Sequence, residues 1–298
     1  MFSRKEATTP SQTKSLPPIL SPPSPPPLPQ DYPFNTLSPD QKLLYNRIRT
    51  KINQIINPTN SLTPLTGFAI PGEIEWASDE TIVRYMNASK FDEAKCVAMI
   101  TKTLQWRRDY RPDLISPEEV EAESTNGKAY WHGFDKSNRP IFILNESRTK
   151  TDHPDRFVRF IIFNLENGIK LCPPGVSQIS AIADVEGVRM FHTNPISVTT
   201  KLADILQVLA KILLPFVDPV TKSKIHFTTV TAPKKESDQQ TSDDTQSTTG
   251  ETGGWVSGLD VLVDSTQLPV ALGGAYTYEY QHDVYWNMFV KTVGKSDQ

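Results

Sequence analysis

The stretch GKAYWHGFDKSNRPIFIL, residues 127–144, decides the fold. It contains two runs rich in aromatic and β-branched residues, 129–135 and 140–145, on either side of the polar sequence KSNR. Two such runs joined by a short polar turn predict a β-hairpin. The chain therefore changes from helical patterns to strand patterns near residue 127.

The sequence after this hairpin alternates between helix and strand patterns. Pro154 opens a segment with apolar residues at three- and four-residue steps, which predicts a helix. The apolar run 177–187 predicts a buried strand, residues 197–216 predict a second amphipathic helix, and 224–230 predicts another strand. The aromatic stretch 276–289 predicts a helix in its second half. Alternating strands and helices favour an α/β fold with a largely parallel sheet.

The sequence before the hairpin predicts helices. Ser78, followed by two acidic residues, is a typical helix start, and Asp92 marks the start of a second helix. The second helix has an apolar stripe made of Ala94, Val97, Ile100 and Leu104. We therefore expect a helical subdomain over 41–120 that leads into the α/β domain at 121–292.

Two segments differ from the rest in composition. Eleven of the 25 prolines lie in the first 39 residues, so residues 1–40 are expected to be a disordered or polyproline II tail. This tail is either a solvated extension or a ligand for an SH3-type partner. Residues 232–254 lack any large apolar side chain and are expected to be a disordered insertion in the α/β domain.

The overall composition excludes several classes of protein. A formal net charge of −3 gives no global field for binding nucleic acid, and we expect no nucleic-acid partner. No apolar run approaches the length of roughly 20 residues that a membrane-spanning helix requires. The start of the chain has no apolar core of the kind found in secretory signals. Cys96 and Cys172 are interpreted as reduced, mostly buried thiols of a cytosolic protein.

The sequence lacks the common catalytic motifs. No nucleophile elbow, phosphate-binding loop, dinucleotide fingerprint or zinc-protease motif is present. The histidines have no spacing typical of metal ligands and are interpreted as structural or surface residues; they are His132, His153, His192, His226 and His282. Asp184 and Glu186 fall at the end of a predicted strand, where they would suit metal or acid–base chemistry, but a third ligand is missing. We expect no enzyme and no cofactor, and a hydrolase built around Asp184 is the minor alternative.

The turn PFVDPVTKSKI, residues 215–225, carries a more informative pattern. Thr221, Ser223 and Lys224 place two hydroxyls and an ammonium just before a predicted strand. Such groups can clamp a phosphate-bearing headgroup, and the alternative is a solvated turn.

Four blocks in this order resemble the CRAL-TRIO family, in particular its fungal phosphatidylinositol/phosphatidylcholine transfer proteins. The blocks are TIVRYMNASKFDEAKCVAMITKTLQWRRDYRPDLI (81–115), GKAYWHGFDKSNRPIFIL (127–144), PFVDPVTKSKIHF (215–227) and LPVALGG (268–274). The resemblance implies a helical lead-in followed by an αβα domain, whose deep apolar pocket lies on the sheet and is closed by a mobile helix. It also implies a cytoplasmic monomer that touches membranes transiently and carries phospholipid as its ligand. The alternative is a lipid-sensing adaptor without transfer activity.

The resemblance also assigns roles to individual residues. The DPVTxSK sequence implies headgroup contacts from Thr221 and Lys224, with Asp218 in the same motif, and Lys90 falls on a basic position of the family. The helix before this turn would be the gate of the cavity, with apolar surface from Leu209, Ile212, Leu213 and Phe216. Core packing is the alternative role for these four side chains.

The chain departs from the family pattern at two places. Ser89 stands where an arginine is usual, so one basic headgroup contact is absent. After Gln207 the family continues with a YPERL segment and a strand, whereas this chain runs directly into VLAKILLPF. The resemblance therefore implies a sheet that lacks one strand. It also implies a destabilised protein that binds lipid poorly or not at all.

Overall fold

The computed structural model describes residues 15–24, 27–57, 65–149, 151–184 and 258–294. Within these ranges the chain forms seven helices and one three-stranded sheet, so it has the predicted mixed α/β class. The helices are α1 (Pro39–Ile56), α2 (Glu73–Trp76), α3 (Asp79–Ala88), α4 (Glu93–Tyr110), α5 (Pro117–Ser124), α6 (Pro154–Gly168) and α7 (His282–Gly294). The strands are β1 (Ala129–Phe134), β2 (Pro140–Asn145) and β3 (Ser180–Asp184).

Side-chain caps fix the starts of the helices in the N-terminal part. Ser38, Ser78 and Asp92 each accept a hydrogen bond from the backbone N–H three residues later, at the starts of α1, α3 and α4. These bonds satisfy donors that have no partner within the helix. The two starts predicted from the sequence, at Ser78 and Asp92, are therefore confirmed.

The first three long helices, α1, α3 and α4, pack around one apolar cluster. Its fully buried members include Ile48, Ile52, Ile82, Met86, Ile100 and Leu104. A buried ion pair adds to this unit, because Arg108 of α4 donates to both carboxylate oxygens of Glu73 in α2, at 2.6 and 2.8 Å. The pairing satisfies two charges that would be costly to bury alone.

The sheet has the order β1–β2–β3, and the predicted hairpin is confirmed. β1 and β2 pair antiparallel, with Trp131 opposite Phe142. β2 and β3 pair parallel, with Ile143 opposite Ile182, and α6 provides the crossover between them. Residues 185–187 of the predicted run 177–187 lie outside the described residues. The residues of β3 alternate between half-buried and exposed, so the described part of this strand is less buried than expected.

The two faces of this sheet are covered by different elements. One face bears Trp131 and Phe142, and it packs on α5, α6 and α7 in the larger apolar cluster of the α/β part. The other face bears Ile141 and Ile143, and it packs on the segment 259–272. At Gly168 of α6 the packing is especially close, because a Cβ there would lie 2.1 Å from the Trp131 ring.

Parts of the first 40 residues pack on the rest of the chain, at Leu20 and Leu37, which corrects the expectation that this whole segment lies outside the fold. We call residues 15–20 the N-terminal strap. Leu20 is buried in the cluster under the sheet, and the backbone N–H of Gly133 in β1 donates to the carbonyl of Ile19 at 2.9 Å. Leu37 is buried against α1. Proline lacks an N–H, but its carbonyl still accepts hydrogen bonds, so a proline-rich segment can dock in extended form.

Several expectations concern residues outside the described ranges. They include the helix over 197–216, the strand over 224–230, the insertion at 232–254 and the strand expected to be missing after Gln207. Both cysteines are free; Cys96 is buried and Cys172 is half-buried. Among the described helices, each is too short or too polar to cross a membrane.

Candidate functional site

The sheet face opposite α6 combines an apolar row with a polar end. Ile143 and Ile182 are neighbours across β2 and β3, and Tyr130 of β1 stands opposite Ile143 on its other side. Because side chains alternate along a strand, the next residues of β2 and β3 on this face are Asn145 and Asp184, which also pair in register. The apolar row packs on the segment 259–272, and the polar groups follow at its end.

The polar end of this row is held by hydrogen bonds. The side-chain amide of Asn145 donates to Asp184 at 3.4 Å, and the hydroxyl of Ser147 donates to the side-chain oxygen Oδ1 of Asn145 at 2.7 Å. Burial is the main cause that raises the pKa of Tyr130 to about 12. The positive charge of Arg148 lowers this pKa, and the negative charge of Asp184 raises it further. These groups lie at the carboxyl end of the parallel strand pair, where α/β sheets commonly bind ligands.

Asp184 therefore lies beside an amide instead of a second carboxylate. Its expected companion Glu186 lies outside the described residues. No cluster of three or more histidine, cysteine, aspartate or glutamate side chains suited to a metal occurs in the described part of the chain. The described geometry of Asp184 favours a polar contact for a ligand over a metal or acid–base centre.

The structure describes one of the eight binding residues expected from the resemblance. Lys90 is exposed in the turn between α3 and α4, where its φ is +56°. The three other headgroup residues, Asp218, Thr221 and Lys224, and the four gate residues, Leu209, Ile212, Leu213 and Phe216, lie outside the described ranges. The expected headgroup site stays a prediction.

A serine–histidine–glutamate contact is present that sequence reasoning missed. Nδ1 of His282 lies 3.0 Å from the Ser124 hydroxyl, and Nε2 lies 3.3 Å from Glu121. The Ser124 hydroxyl donates to the Glu121 carbonyl, and Ser124 is fully buried. A nucleophile needs access to substrate and a base that takes its proton. The contact therefore joins α5 to the start of α7 and is structural.

His132 is buried in an aromatic environment beside the N-terminal strap. Its ring stacks on Tyr278 with centroids 4.4 Å apart, and its Nδ1 accepts from the Ile19 N–H at 3.4 Å. Its Nε2 is buried without a hydrogen-bond partner. Burial lowers the pKa of His132 to about 4, so the ring is neutral at neutral pH. The interpretation of this histidine as structural agrees with its surroundings.

A buried ionic cluster joins α5, β1 and α6 beneath the sheet. Glu123 accepts from Lys128 at 2.7 Å, from Arg156 at 3.0 Å and from Thr151 at 3.2 Å. Burial by itself would raise the pKa of Glu123, but the hydrogen bonds from Lys128 and Arg156 outweigh it and hold this pKa below its usual range. The cluster is fully paired and has a structural role.

Comparison with known proteins places these features in a family. The sequence profile of the CRAL/TRIO domain matches residues 124–210, which include β1, β2, α6 and β3. A CRAL-TRIO domain-containing protein of Schizosaccharomyces pombe is 25% identical over 236 residues, covering 72% of this chain and 21% of that protein. The phosphatidylinositol transfer protein PDR17 of Saccharomyces cerevisiae is 24% identical over 250 residues, covering 73% of this chain and 63% of that protein.

The chain thus spans about a fifth of the first relative and under two thirds of the second. Among solved structures, that of Sfh5 aligns with a TM-score of 0.46 and 16% identity, covering 59% of this chain and 68% of that one. The domain match and the two fungal relatives confirm the resemblance found in the sequence. Residues 124–210 match the CRAL/TRIO domain, and the chain is similar to the fungal phosphatidylinositol transfer protein branch of the CRAL-TRIO family.

Proposed function

We propose that this protein binds phospholipid, phosphatidylinositol and also phosphatidylcholine, and transfers it between membranes without catalysing a reaction. The observation that carries the proposal is the CRAL/TRIO match over 124–210, which includes the sheet face with an apolar row and a polar end. The similarity to PDR17, which is named as a phosphatidylinositol transfer protein, supports the choice of lipid.

The physical basis of such transfer is a near balance between two apolar environments. Each buried CH₂ group of an acyl chain contributes about 0.8 kcal/mol, both in a bilayer and in a protein cavity. A cavity that matches the bilayer therefore makes extraction nearly neutral. In this proposal, the half-buried Tyr130 and Ile182 contribute apolar surface for the acyl chains, beside Ile143, which the segment 259–272 already covers.

The headgroup would be held by basic and hydroxyl side chains. Thr221 and Lys224 are the proposed contacts, with Asp218 and Lys90 as further members of the site. The protein would act as a monomer in the cytoplasm, with transient contact to the membrane surface and with lipid as its ligand in place of a cofactor.

Mass spectrometry of lipids that copurify with the full chain tests this proposal. We expect phosphatidylinositol and phosphatidylcholine in the purified protein; an empty protein that also extracts no lipid from vesicles would refute the proposal. In a vesicle transfer assay, Lys224→Ala is expected to reduce phosphatidylinositol transfer and spare phosphatidylcholine. Lys222→Ala, in the same turn, is the matched control, and equal loss of both lipids in Lys224→Ala would contradict the headgroup role.

We further propose that the departure at Gln207 weakens lipid binding. The domain match ends at residue 210, just after this position, which supports a local difference from the family. Loss of a strand would leave backbone N–H and C=O groups of the neighbouring strands without hydrogen-bond partners. Cooperative thermal unfolding together with efficient extraction of phosphatidylinositol would overturn this part of the proposal.

The second candidate function is an adaptor whose proline-rich run recruits an SH3-type partner. Pro27, Leu28 and Pro29 are exposed, while Leu20 and Leu37 on either side of them are buried. An extended proline-rich ligand that is already restrained loses less entropy on binding. The variant Pro27→Ala/Pro29→Ala is expected to lose function in cells and keep lipid transfer in vitro, with Ser24→Ala as the control. Retained cellular function would argue against the adaptor.

A further inference from the structure

The loop between α1 and α2 exposes a large aromatic side chain. Phe68 is 95% exposed, and Ala69 and Pro71 beside it are also exposed. The residues from 66 to 72, TGFAIPG, contain no charged side chain. An isolated exposed apolar residue is ordinary on a protein surface, but an uncharged aromatic segment projecting from it marks an interaction site.

The loop is held in place at its base. The side-chain amide of Gln105 in α4 brackets Thr66, accepting from its N–H at 2.7 Å and donating to its carbonyl at 3.5 Å. Leu65, before the loop, is buried in the apolar cluster of the lead-in. At the other end, the Ile70 carbonyl accepts from the N–H of Glu73, whose carboxylate is held by Arg108. The exposure of Phe68 is therefore set by a supported backbone.

Two glycines give the loop its shape. Gly67 and Gly72 have φ angles of +77° and +83°, in the left-handed region that other residues rarely adopt. They stand on either side of the segment 68–71. A backbone turned in this way places the aromatic residue at the tip of the loop.

We infer that the loop 66–72 inserts Phe68 into the surface of a lipid bilayer when the protein docks on a membrane. A stable protein–protein interface requires roughly 20 to 30 residues on each side, which this short segment does not provide. Insertion of one aromatic side chain gives the weak, reversible membrane contact that a shuttling carrier needs. The segment has no charge that would need to lose its hydration on entering the interface.

The surroundings of the loop also favour apolar insertion over electrostatic attraction. Ile74 follows the loop in α2 and is 53% exposed, and it borders a shallow depression lined by Thr50, Asn53, Gln54 and Asn57. These four residues carry no charge. The nearest exposed charge in sequence is Glu75, which is acidic, so the loop itself offers no attraction for anionic lipids.

Flotation of the full chain with vesicles of phosphatidylcholine alone tests the inference. Phe68→Ser is expected to weaken vesicle binding about tenfold, because burying a phenylalanine side chain contributes at least that factor. Val270→Ser, at an exposed apolar side chain on the α/β part, is the matched control and is expected to bind like the wild type. Higher salt is expected to leave binding unchanged. Both variants should unfold at the wild-type temperature because both side chains are exposed.

Equal vesicle binding by Phe68→Ser, Val270→Ser and the wild type would overturn the inference. Unchanged vesicle binding with a loss of self-association in sedimentation would also overturn it and would assign the loop to a protein contact. The inference rests on the proposed function, because a lipid carrier must meet membranes. The experiments still distinguish failure of the Phe68 insertion from failure of the carrier function. Lipid that copurifies with a protein insensitive to Phe68→Ser refutes the insertion alone, whereas an empty protein refutes the carrier.

Discussion

Acid is expected to destabilise this protein through His132. The ring is fully buried, stacks on Tyr278 and uses Nδ1 to accept the Ile19 N–H, so its neutral form carries the hydrogen on Nε2. Protonation would place a charge in an aromatic environment and would put a second donor opposite the Ile19 N–H. The folded protein therefore resists protonation at this site.

The loss of stability follows from the difference between the pKa of His132 in the folded and in the unfolded protein. Burial lowers the pKa of His132 from its usual value of 6.5 to about 4 in the folded protein. Between these values the unfolded chain binds more protons than the folded one, so stability falls as pH falls through this window. At about 1.36 kcal/mol per pH unit, roughly 2 kcal/mol is lost at pH 5, and about 3 kcal/mol once the pH reaches 4.

Urea unfolding at pH 7.5 and pH 5.0 measures the contribution of His132 to the acid-induced loss of stability when a variant without a titrating side chain at this position is included. His132→Gln keeps an acceptor for the Ile19 N–H and cannot bind a proton, so its loss of stability between the two pH values should be smaller by about 2 kcal/mol. The exposed His153, changed to Gln, is the control and should follow the wild type. If His132→Gln and the wild type lose the same stability, the ring is not a buried neutral group and the reasoning is wrong.

Three further predictions concern the packing of the domain, each measured as a change in the free energy of unfolding in urea. Leu20→Ala should cost about 2 to 4 kcal/mol, because the side chain is buried under the sheet; a cost near zero would show that the N-terminal strap is detached in solution. Gly168→Ala should cost about 1 to 3 kcal/mol, because the new methyl group meets the Trp131 ring; an unchanged stability would show that this approach is looser than described. Glu123→Gln should cost about 3 kcal/mol by leaving the buried Lys128 ammonium without its carboxylate, whereas Glu119→Gln, which breaks a more exposed pair, should cost less than about 1 kcal/mol. Equal costs for these two variants would remove the special role of the buried cluster.

Much of the local structure could be predicted from the sequence because the signals are local. The hairpin follows from two apolar runs around KSNR, and the starts of α3 and α4 follow from their capping residues. Pro154 marks the start of α6 because a proline at the first helical position needs no N–H partner. These features depend on neighbours within a few positions, and the structure contains all of them.

The N-terminal strap could not be predicted because its partners are distant in sequence. Proline content indicated a chain without regular structure, which is correct for the backbone but says nothing about docking. The strap is bound by Gly133 and by residues near position 277, contacts that no composition reveals. The link between Ser124 and His282 spans 158 positions and was missed for the same reason.

The candidate site was predicted only in part. The sequence pointed to Asp184 at the end of a strand, and the structure adds Asn145, which pairs with it in register across the sheet. Pairing of this kind depends on the strand order, which sequence periodicity does not give. The expected headgroup residues of the turn 215–225 lie outside the described residues, so their assignment depends on the family resemblance.

The N-terminal strap also has a consequence for how the chain is made. Ser15 leaves the ribosome long before Glu279, yet it exchanges hydrogen bonds with the backbone of that residue, 264 positions later. The site that receives the strap includes Thr277 and Tyr276, so it is complete only after these residues have been synthesised. Until then the edge of β1 at Gly133 lacks this cover. The strap is therefore synthesised well before its binding site, and the sheet edge at Gly133 stays open until residues 276–279 have been made.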